Sequence, residues 1–415
     1  MGFLKKYLLA ILISVVIIRL ILVLLPSFKI DMTDWQAWSA KLVEVTPIHF
    51  YNPNYFADYF PGYLYMLWFL GKSFYILLPH SSIFSIEFEI YLKLFTNLFD
   101  LGTAYYIYKI VYRYQNKFAL IAPIFYLANP ALVFNSSVWG QVDGILTFFL
   151  VYSAYCLIEL KKAYRSNFFS ALSIIIKPQG LAIFPVIIIY LLSNFNFKKY
   201  FSLVLIPTLL ILLSLPFFLK DPILGLFHLF QKSANTYPYT SMFSYNFWSF
   251  AGWWKPDSTK FLDLTFQAWG VVFYLAALIF ISLPLIFRRN KDNFSIYFAL
   301  ALASFAFFLF LTRIHQRYLF PFFSFLLITA FIRNSLKIKI IYLALSFIHL
   351  INLLYVYYYY NYVYLNPKFS SLLIYKFLST NYNLFTLLNL FGFGLLVLIY
   401  YKTGYTKRDH VQKIS

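Results

Sequence analysis

Charge is scarce in this chain. Only 12% of its 415 residues are Asp, Glu, Lys or Arg, too few to coat the two or three soluble domains that the length would otherwise allow. Cysteine is nearly absent: Cys156 stands alone inside an apolar run, which excludes an intramolecular disulfide and a thiolate metal cluster. His49, His80, His228, His315, His349 and His410 are scattered, and the 13 glycines form no phosphate-cradling loop. Zinc, Walker and nucleotide-binding patterns are therefore missing, and a soluble nucleotide ligand has no cradle.

Apolar residues fill the space that charge leaves. They make up 62% of the chain, with 23% aromatic and a mean hydropathy of +0.72, so the side chains must face a solvent that is itself apolar. The expected class is an all-α polytopic membrane protein, one transmembrane domain over residues 1–415. Runs able to cross about 30 Å of hydrocarbon are read at 7–26, 84–112, 117–136, 142–160, 200–219, 266–286, 294–312, 318–334, 338–358 and 384–401. The stretch 168–192 is broken at Lys177-Pro178-Gln179-Gly180, because Pro removes a backbone donor and Gly loosens the helix; the total is about twelve segments. The first run lacks a small-residue cleavage site and reads as a retained helix.

A net charge of +20 could suggest nucleic acid, but the basic residues sit between apolar runs and are better explained by orientation. With the amino terminus cytoplasmic, Lys5, Lys6, Lys109, Arg113, Lys117, Lys161, Lys162, Arg165, Lys198, Lys199, Arg288, Arg289, Lys291, Arg333, Lys337, Lys339, Lys402, Lys407, Arg408 and Lys413 fall inside. That arrangement requires residues 61–79, rich in Tyr and Trp, to lie along the outer interface instead of spanning it. Two long extracytoplasmic loops result, 27–83 with its interfacial helices and 220–265. No internal repeat is evident.

Of the 14 acidic residues, only Glu159, Asp292 and Asp409 fall inside, and Asp100 lies mid-span. Asp31 and Asp34 follow the first span in Ile30-Asp31-Met32-Thr33-Asp34-Trp35-Gln36-Ala37-Trp38. Asp31 as helix N-cap with Asp34 in the first turn is one reading. The other is a carboxylate partly desolvated under Trp35 and Trp38, placed to take a proton from a sugar or lipid hydroxyl. Asp58, in Asp58-Tyr59-Phe60-Pro61-Gly62-Tyr63, either caps a turn or touches substrate. Asp143 caps the span that follows it, or joins Trp139 and Gln141 in a stacking and hydrogen-bonding face of the kind that holds a sugar. Lys177, beside Pro178 at a helix break, needs a carboxylate or a bound anion; Asp100 is its candidate partner, while Arg19 is placed to snorkel. Arg313, His315 and Arg317 crowd an outer loop too short to carry two arginines without an anion to meet them, and His315 can add a hydrogen bond or share charge.

In this order and spacing, Asp31 with Trp35 and Trp38, Phe50-Tyr51, Asp58-Tyr59-Phe60-Pro61-Gly62-Tyr63-Leu64-Tyr65, Asn129-Pro130, Trp139-Gly140-Gln141-Val142-Asp143, Lys177-Pro178-Gln179, Asn246 with Trp248, and His315-Gln316-Arg317-Tyr318 resemble the GT-C superfamily of polyprenyl-phosphate-sugar-dependent glycosyltransferases. The branch most resembled is the prokaryotic mannosyltransferase-like proteins related to the second mannosyltransferase of GPI-anchor assembly. The likeness runs to about residue 335, with Phe60 where a second proline is usual and Gln316 where glutamate is commoner. It implies a GT-C bundle in the cell membrane, with its site on the extracytoplasmic face beneath juxtamembrane helices.

On this reading a hexose, mannose by family analogy, passes with inversion from a polyprenyl-phosphate donor to an extracytoplasmic lipid-linked glycan, lipid or protein acceptor. Asp31, or Asp34 in reserve, is the base; Arg317, His315, Lys177 and Arg313 take the phosphate. Asp58, Tyr59, Trp139, Gln141, Asp143, Gln179 and Tyr318 orient sugar or acceptor. No metal is required, although Asp31, Asp34 and Asp58 could bind a divalent cation. The rival reading is a transporter or flippase of lipid-linked sugars, built on polar groups at mid-membrane.

Overall fold

The computed structural model describes residues 2–52, 55–192, 200–287 and 292–403. Lys198, Lys199, Arg288, Arg289, Lys291, Lys407, Arg408 and Lys413 lie outside the described residues. The regular elements among the described residues are helices except for two-residue strands: Ser241–Met242 runs parallel to Ile314–His315, and Lys260–Phe261 pairs with Leu264–Thr265.

Four described helices are long and apolar enough to cross a bilayer, Phe266–Phe287, Asn293–Phe310, Leu336–Val363 and Tyr382–Thr403; a fifth span forms if Asn116–Leu127 and Pro130–Trp139, bent by 48°, count as one. The dozen segments expected from apolar windows exceed this number. Several windows hold shorter helices, Asp143–Ile158, Pro178–Leu192, Ser202–Ser214 and Gln316–Ile332. Residues 168–192 divide as Lys177-Pro178 implies: one helix ends at Ile176, a 3-10 turn covers Pro178–Ile183, and Phe184–Leu192 resumes.

Asn293–Phe310 and Phe320–Ile332 form the centre of the bundle, the latter buried at every position. In a lipid surrounding, close packing of these apolar surfaces holds the helices together more than exclusion of water does. A second cluster joins Lys29–Val45 and Pro61–Leu77 to the bundle through Trp35, Trp38, Tyr63, Leu67 and Phe149. Helix Pro61–Leu77 approaches so closely that a Cβ on Gly62 would lie 2.6 Å from the Ile175 backbone, and it thereby brings the first loop to the Lys177 break.

Two charged side chains lie deeper than the sequence suggests. Arg19 does not snorkel: it is 2% exposed, donates to Asn97 Oδ1 and the Leu127 carbonyl, and pairs with Asp100. Lys93, also buried, donates to the Val23 and Leu25 carbonyls at 3.2 and 2.6 Å, satisfying acceptors that the end of the first helix leaves open.

Candidate functional site

Helix Lys29–Val45 starts after Phe28, whose backbone is extended. Asp31 therefore falls inside the first turn and is not the N-cap, and Asp34 follows one turn later on the same face. Both open into a cavity of about 240 Å³ that is also lined by Asp58, Tyr59, Lys177, Gln179, Arg313, His315, Arg317 and Tyr318. The first outer loop, the helix break and the loop before Phe320 thus converge on one space.

Asp31 is the most tightly held acid there. Its Oδ2 accepts from Trp139 Nε1 at 2.8 Å and from Gln141 Nε2, leaving Oδ1 directed to Arg317 Nη2, 3.9 Å away. Trp139 and Gln141 were expected to hold sugar; they stand behind the cavity and orient the carboxylate. Their placement follows from the local backbone. Phe134–Trp139 is a π-helical turn, Gly140 is left-handed with φ of 88°, and both Gly140 N and Gln141 N return to the Asn135 carbonyl. A side chain at 140 would be strained and would meet Met32 at 2.9 Å. Trp139 stacks on Phe28 with centroids 4.1 Å apart, which locks the indole.

Asp143 is likewise behind the cavity. It accepts from Asn135 Nδ2 and forms a 2.6 Å ion pair with Lys177 Nζ. The pairing of Lys177 with Asp100 is thus corrected: Asp100 belongs to Arg19. Lys177 also lies 4.8 Å from the Tyr318 ring centroid, so a carboxylate and a π face share the cost of its burial.

Arg317 is nearly buried, yet its Nε has no hydrogen-bond partner. Nη1 donates to His315 Nδ1 at 3.3 Å, which fixes that ring nitrogen as acceptor. Burial first, then the Arg317 and Lys177 charges, hold His315 well below the usual imidazole range. Of the two roles open to it, a hydrogen bond or a shared charge, the geometry displays the hydrogen bond. Arg313 departs further from expectation. With φ of 63° it turns toward Asp257, engaging both carboxylate oxygens, the Ala234 carbonyl and Asn235 Oδ1. It lines the cavity, but its charge is met, and its work is to fasten the loop to helix Pro222–Asn235.

The remaining acids sit beneath an aromatic wall. Trp38 Nε1 donates to the Phe56 carbonyl at 3.0 Å and its ring meets Tyr59, laying residues 56–60 over the helix. Burial, and then the carboxylates of Asp31 and Asp58, push the Asp34 carboxyl up to about 7. Burial also raises Asp58, against a backbone hydrogen bond and the Arg317 charge. Among the described residues no three His, Cys, Asp or Glu side chains gather into a metal-binding group, so Asp31, Asp34 and Asp58 form no ready ligand set. Tyr59 OH and Gln179 Oε1 are buried without partners, leaving polar atoms for a ligand to satisfy.

Sequence reasoning missed Tyr237, Phe230, Ser233 and Thr312 on the cavity wall and the anchor Asp257. Of these only Asp257 carried a signal, as one of the few acids of the outer segments.

The arrangement offers a carboxylate oxygen facing a guanidinium in one cavity, suited to removing a proton on one side while stabilising negative charge on the other. The description Glycosyltransferase family 87 matches residues 73–312. No curated protein matches the chain.

Proposed function

The chain belongs to glycosyltransferase family 87, and on that premise we propose that it transfers a hexose, mannose first among candidates, from a polyprenyl-phosphate donor to a hydroxyl of an extracytoplasmic lipid, glycan or protein acceptor at the cell membrane. Asp31 Oδ1 takes the acceptor proton as the hydroxyl oxygen attacks the anomeric carbon. The bond from that carbon to the phosphate oxygen breaks, its electron pair leaves with the lipid phosphate, and the configuration inverts. Phosphate needs no acid to depart, so the demand is for positive charge. Arg317 supplies it through its unpartnered Nε, with Lys177 behind and His315 as a neutral hydrogen-bonding neighbour. Asp34 stands one turn away as the reserve base.

The observation that carries this reading is the position of Asp31: one oxygen held by Trp139 and Gln141, the other facing Arg317. Support for a lipid-borne donor comes from an apolar groove of about 470 Å³ lined by Leu181, Phe184, Pro185, Ile188, Ile189, Tyr274 and Phe307. Phe307 also lines the polar cavity, so a hydrocarbon chain in the groove leads to the cations. The transporter reading loses its polar mid-membrane pair, since Lys177 and Asp100 are engaged by Asp143 and Arg19.

The test is to supply radiolabelled polyprenyl-phosphate sugars singly to the protein in proteoliposomes. One sugar is expected to be consumed with formation of a glycoside of inverted configuration, and Asp31→Asn to abolish transfer while retaining donor binding. Unaltered transfer by that variant, or translocation without glycoside formation, overturns the reading.

A further inference from the structure

Between Leu22 and the helix that carries Asp31 the chain forms no regular element, so its carbonyls need donors from elsewhere. Side chains supply them. Lys93 takes the Val23 and Leu25 carbonyls, and Tyr357 OH donates to the Pro26 carbonyl at 2.6 Å. Asn361 makes two such bonds at once: its Nδ2 donates to the Ser27 carbonyl at 3.0 Å, and its Oδ1 accepts from Lys29 N at 3.2 Å.

Lys29 N is the first amide of helix Lys29–Val45, one of the donors that a helix start leaves open. Phe28, at the cap, makes no side-chain hydrogen bond to it, so a residue 332 positions away does the capping. Asn361 is 5% exposed and sits in the π-helical turn Tyr359–Val363 that closes helix Leu336–Tyr358. One residue before it, Tyr360 meets Phe28 edge-on at 5.7 Å, on the ring that stacks on Trp139. The backbone bond on the Trp139 side, from Phe28 N to the Trp139 carbonyl, is long at 3.4 Å. Asn361 thus makes the shorter tethers, to the two residues that flank Phe28, and Asp31 follows within the first turn.

We infer that Asn361 is a positioning residue for the transfer: it fixes the backbone from which Asp31 reaches toward Arg317, while Trp139 and Gln141 fix the rotation of the carboxylate. This rests on the transfer reading above, in which Asp31 is the base. It brings to the site a segment outside residues 73–312, the part of the chain that matches the family. A helix start that slides by about 1 Å changes the approach of Oδ1 to an acceptor hydroxyl, and such a displacement costs up to about 10²-fold in rate. Arg317 and Lys177 stand on other elements, so donor binding does not depend on Asn361.

Two variants test it. Asn361→Leu keeps the side-chain volume and withdraws both hydrogen bonds; Asn361→Asp keeps an acceptor for Lys29 N and places negative charge at a helix start, where it is favoured. Each is assayed in proteoliposomes with the radiolabelled polyprenyl-phosphate sugar that the natural chain consumes. Asn361→Leu should lower kcat about tenfold or more with donor KM unchanged, and Asn361→Asp should recover part of that loss. Added to Asp31→Asn, Asn361→Leu should change the residual rate little, because residues that act through one another are not additive. Amide hydrogen exchange, measured without substrate, should quicken over residues 27–32 in Asn361→Leu and stay unchanged in helix Asn293–Phe310. If leucine prevents folding, Asn361→Ala takes its place in every comparison. Unchanged kcat, a raised donor KM, an equal rate loss in the Asp31→Asn background, an aspartate variant no faster than the leucine one, or unaltered exchange overturns the inference. A natural chain that consumes no donor defeats the transfer reading instead, and the exchange measurement still decides whether Asn361 holds residues 27–32.

Discussion

Trp139 and Asp31, 108 residues apart in the chain, meet through a 2.8 Å hydrogen bond from the indole nitrogen to Oδ2. Gln141 donates to the same oxygen, and together they leave Oδ1 turned to Arg317. The carboxylate is thus oriented by a segment that does not touch the cavity, much as a metal-bound imidazole is oriented by the group behind it. Removing either donor should cost rate more than binding.

The first prediction concerns that division. Trp139→Phe keeps the stacking on Phe28 but deletes the Nε1 donor. It should lower kcat about tenfold, the worth of one hydrogen bond to a charged group, with donor KM and thermal stability little changed. Steady-state kinetics with a melting curve on the same preparation checks this; an equal rise in donor KM would place Trp139 at the substrate.

Asp31→Asn is the stronger lesion. The amide preserves the shape and can still meet Gln141, but cannot accept a proton, and loss of a general base costs about 10²–10⁴-fold in rate. Donor binding, measured by co-sedimentation with the labelled lipid, should persist because Arg317 and Lys177 are intact.

Arg317 should govern the donor side. Lys in its place keeps the charge but loses the planar fork and the Nε donor that has no partner within the protein, so Arg317→Lys should raise donor KM about tenfold. Arg313→Lys should leave donor KM near its normal value, because Asp257 already meets the Arg313 charge; a shift equal to that of Arg317→Lys would return Arg313 to the phosphate.

Asp34 gives a pH dependence of definite sign. With its carboxyl pushed up to about 7 by burial and by Asp31 and Asp58, it is mostly neutral at pH 6 and mostly ionised at pH 8. An added negative charge in the cavity repels an anionic donor. Donor KM should therefore rise from pH 6 to pH 8 in the natural chain and stay low and flat over that range in Asp34→Asn. A rising KM retained in the variant would assign the titration elsewhere.

What could be read beforehand follows from cost. Charges at helix breaks and in short outer loops of an apolar chain are expensive, so Asp31, Lys177 and Arg317 stood out, and the structure brings them to one cavity. Their exact partners depend on geometry that residue types do not encode. The π-helical turn and left-handed Gly140 carry Trp139 and Gln141 behind Asp31, although the same side chains in an ordinary turn would suit a sugar. Positive φ at Arg313 turns it to Asp257, although its spacing matches His315 and Arg317. Span counting meets a similar limit: an apolar window such as 200–219 does not register where the helix inside it ends, here at Ser214.

The buried pair Arg19 and Asp100 yields a prediction about stability instead of chemistry. Both side chains are almost wholly enclosed, and Asp100 also accepts from Tyr126 OH at 3.1 Å. Breaking a buried pair from one side strands the other charge, which costs about 3–5 kcal/mol, whereas replacing both members with apolar groups of similar volume is often neutral. Arg19→Met should therefore lower the unfolding temperature sharply, and Arg19→Met/Asp100→Leu should recover much of the loss. The recovery is limited by Asn97, Tyr126 and the Leu127 carbonyl, each of which loses one hydrogen bond in the double variant. Because neither Arg19 nor Asp100 lines the cavity, the folded fraction of the double variant should transfer sugar at an ordinary rate. A double variant no more stable than Arg19→Met would show that the pair is held for its hydrogen bonds and not for mutual neutralisation.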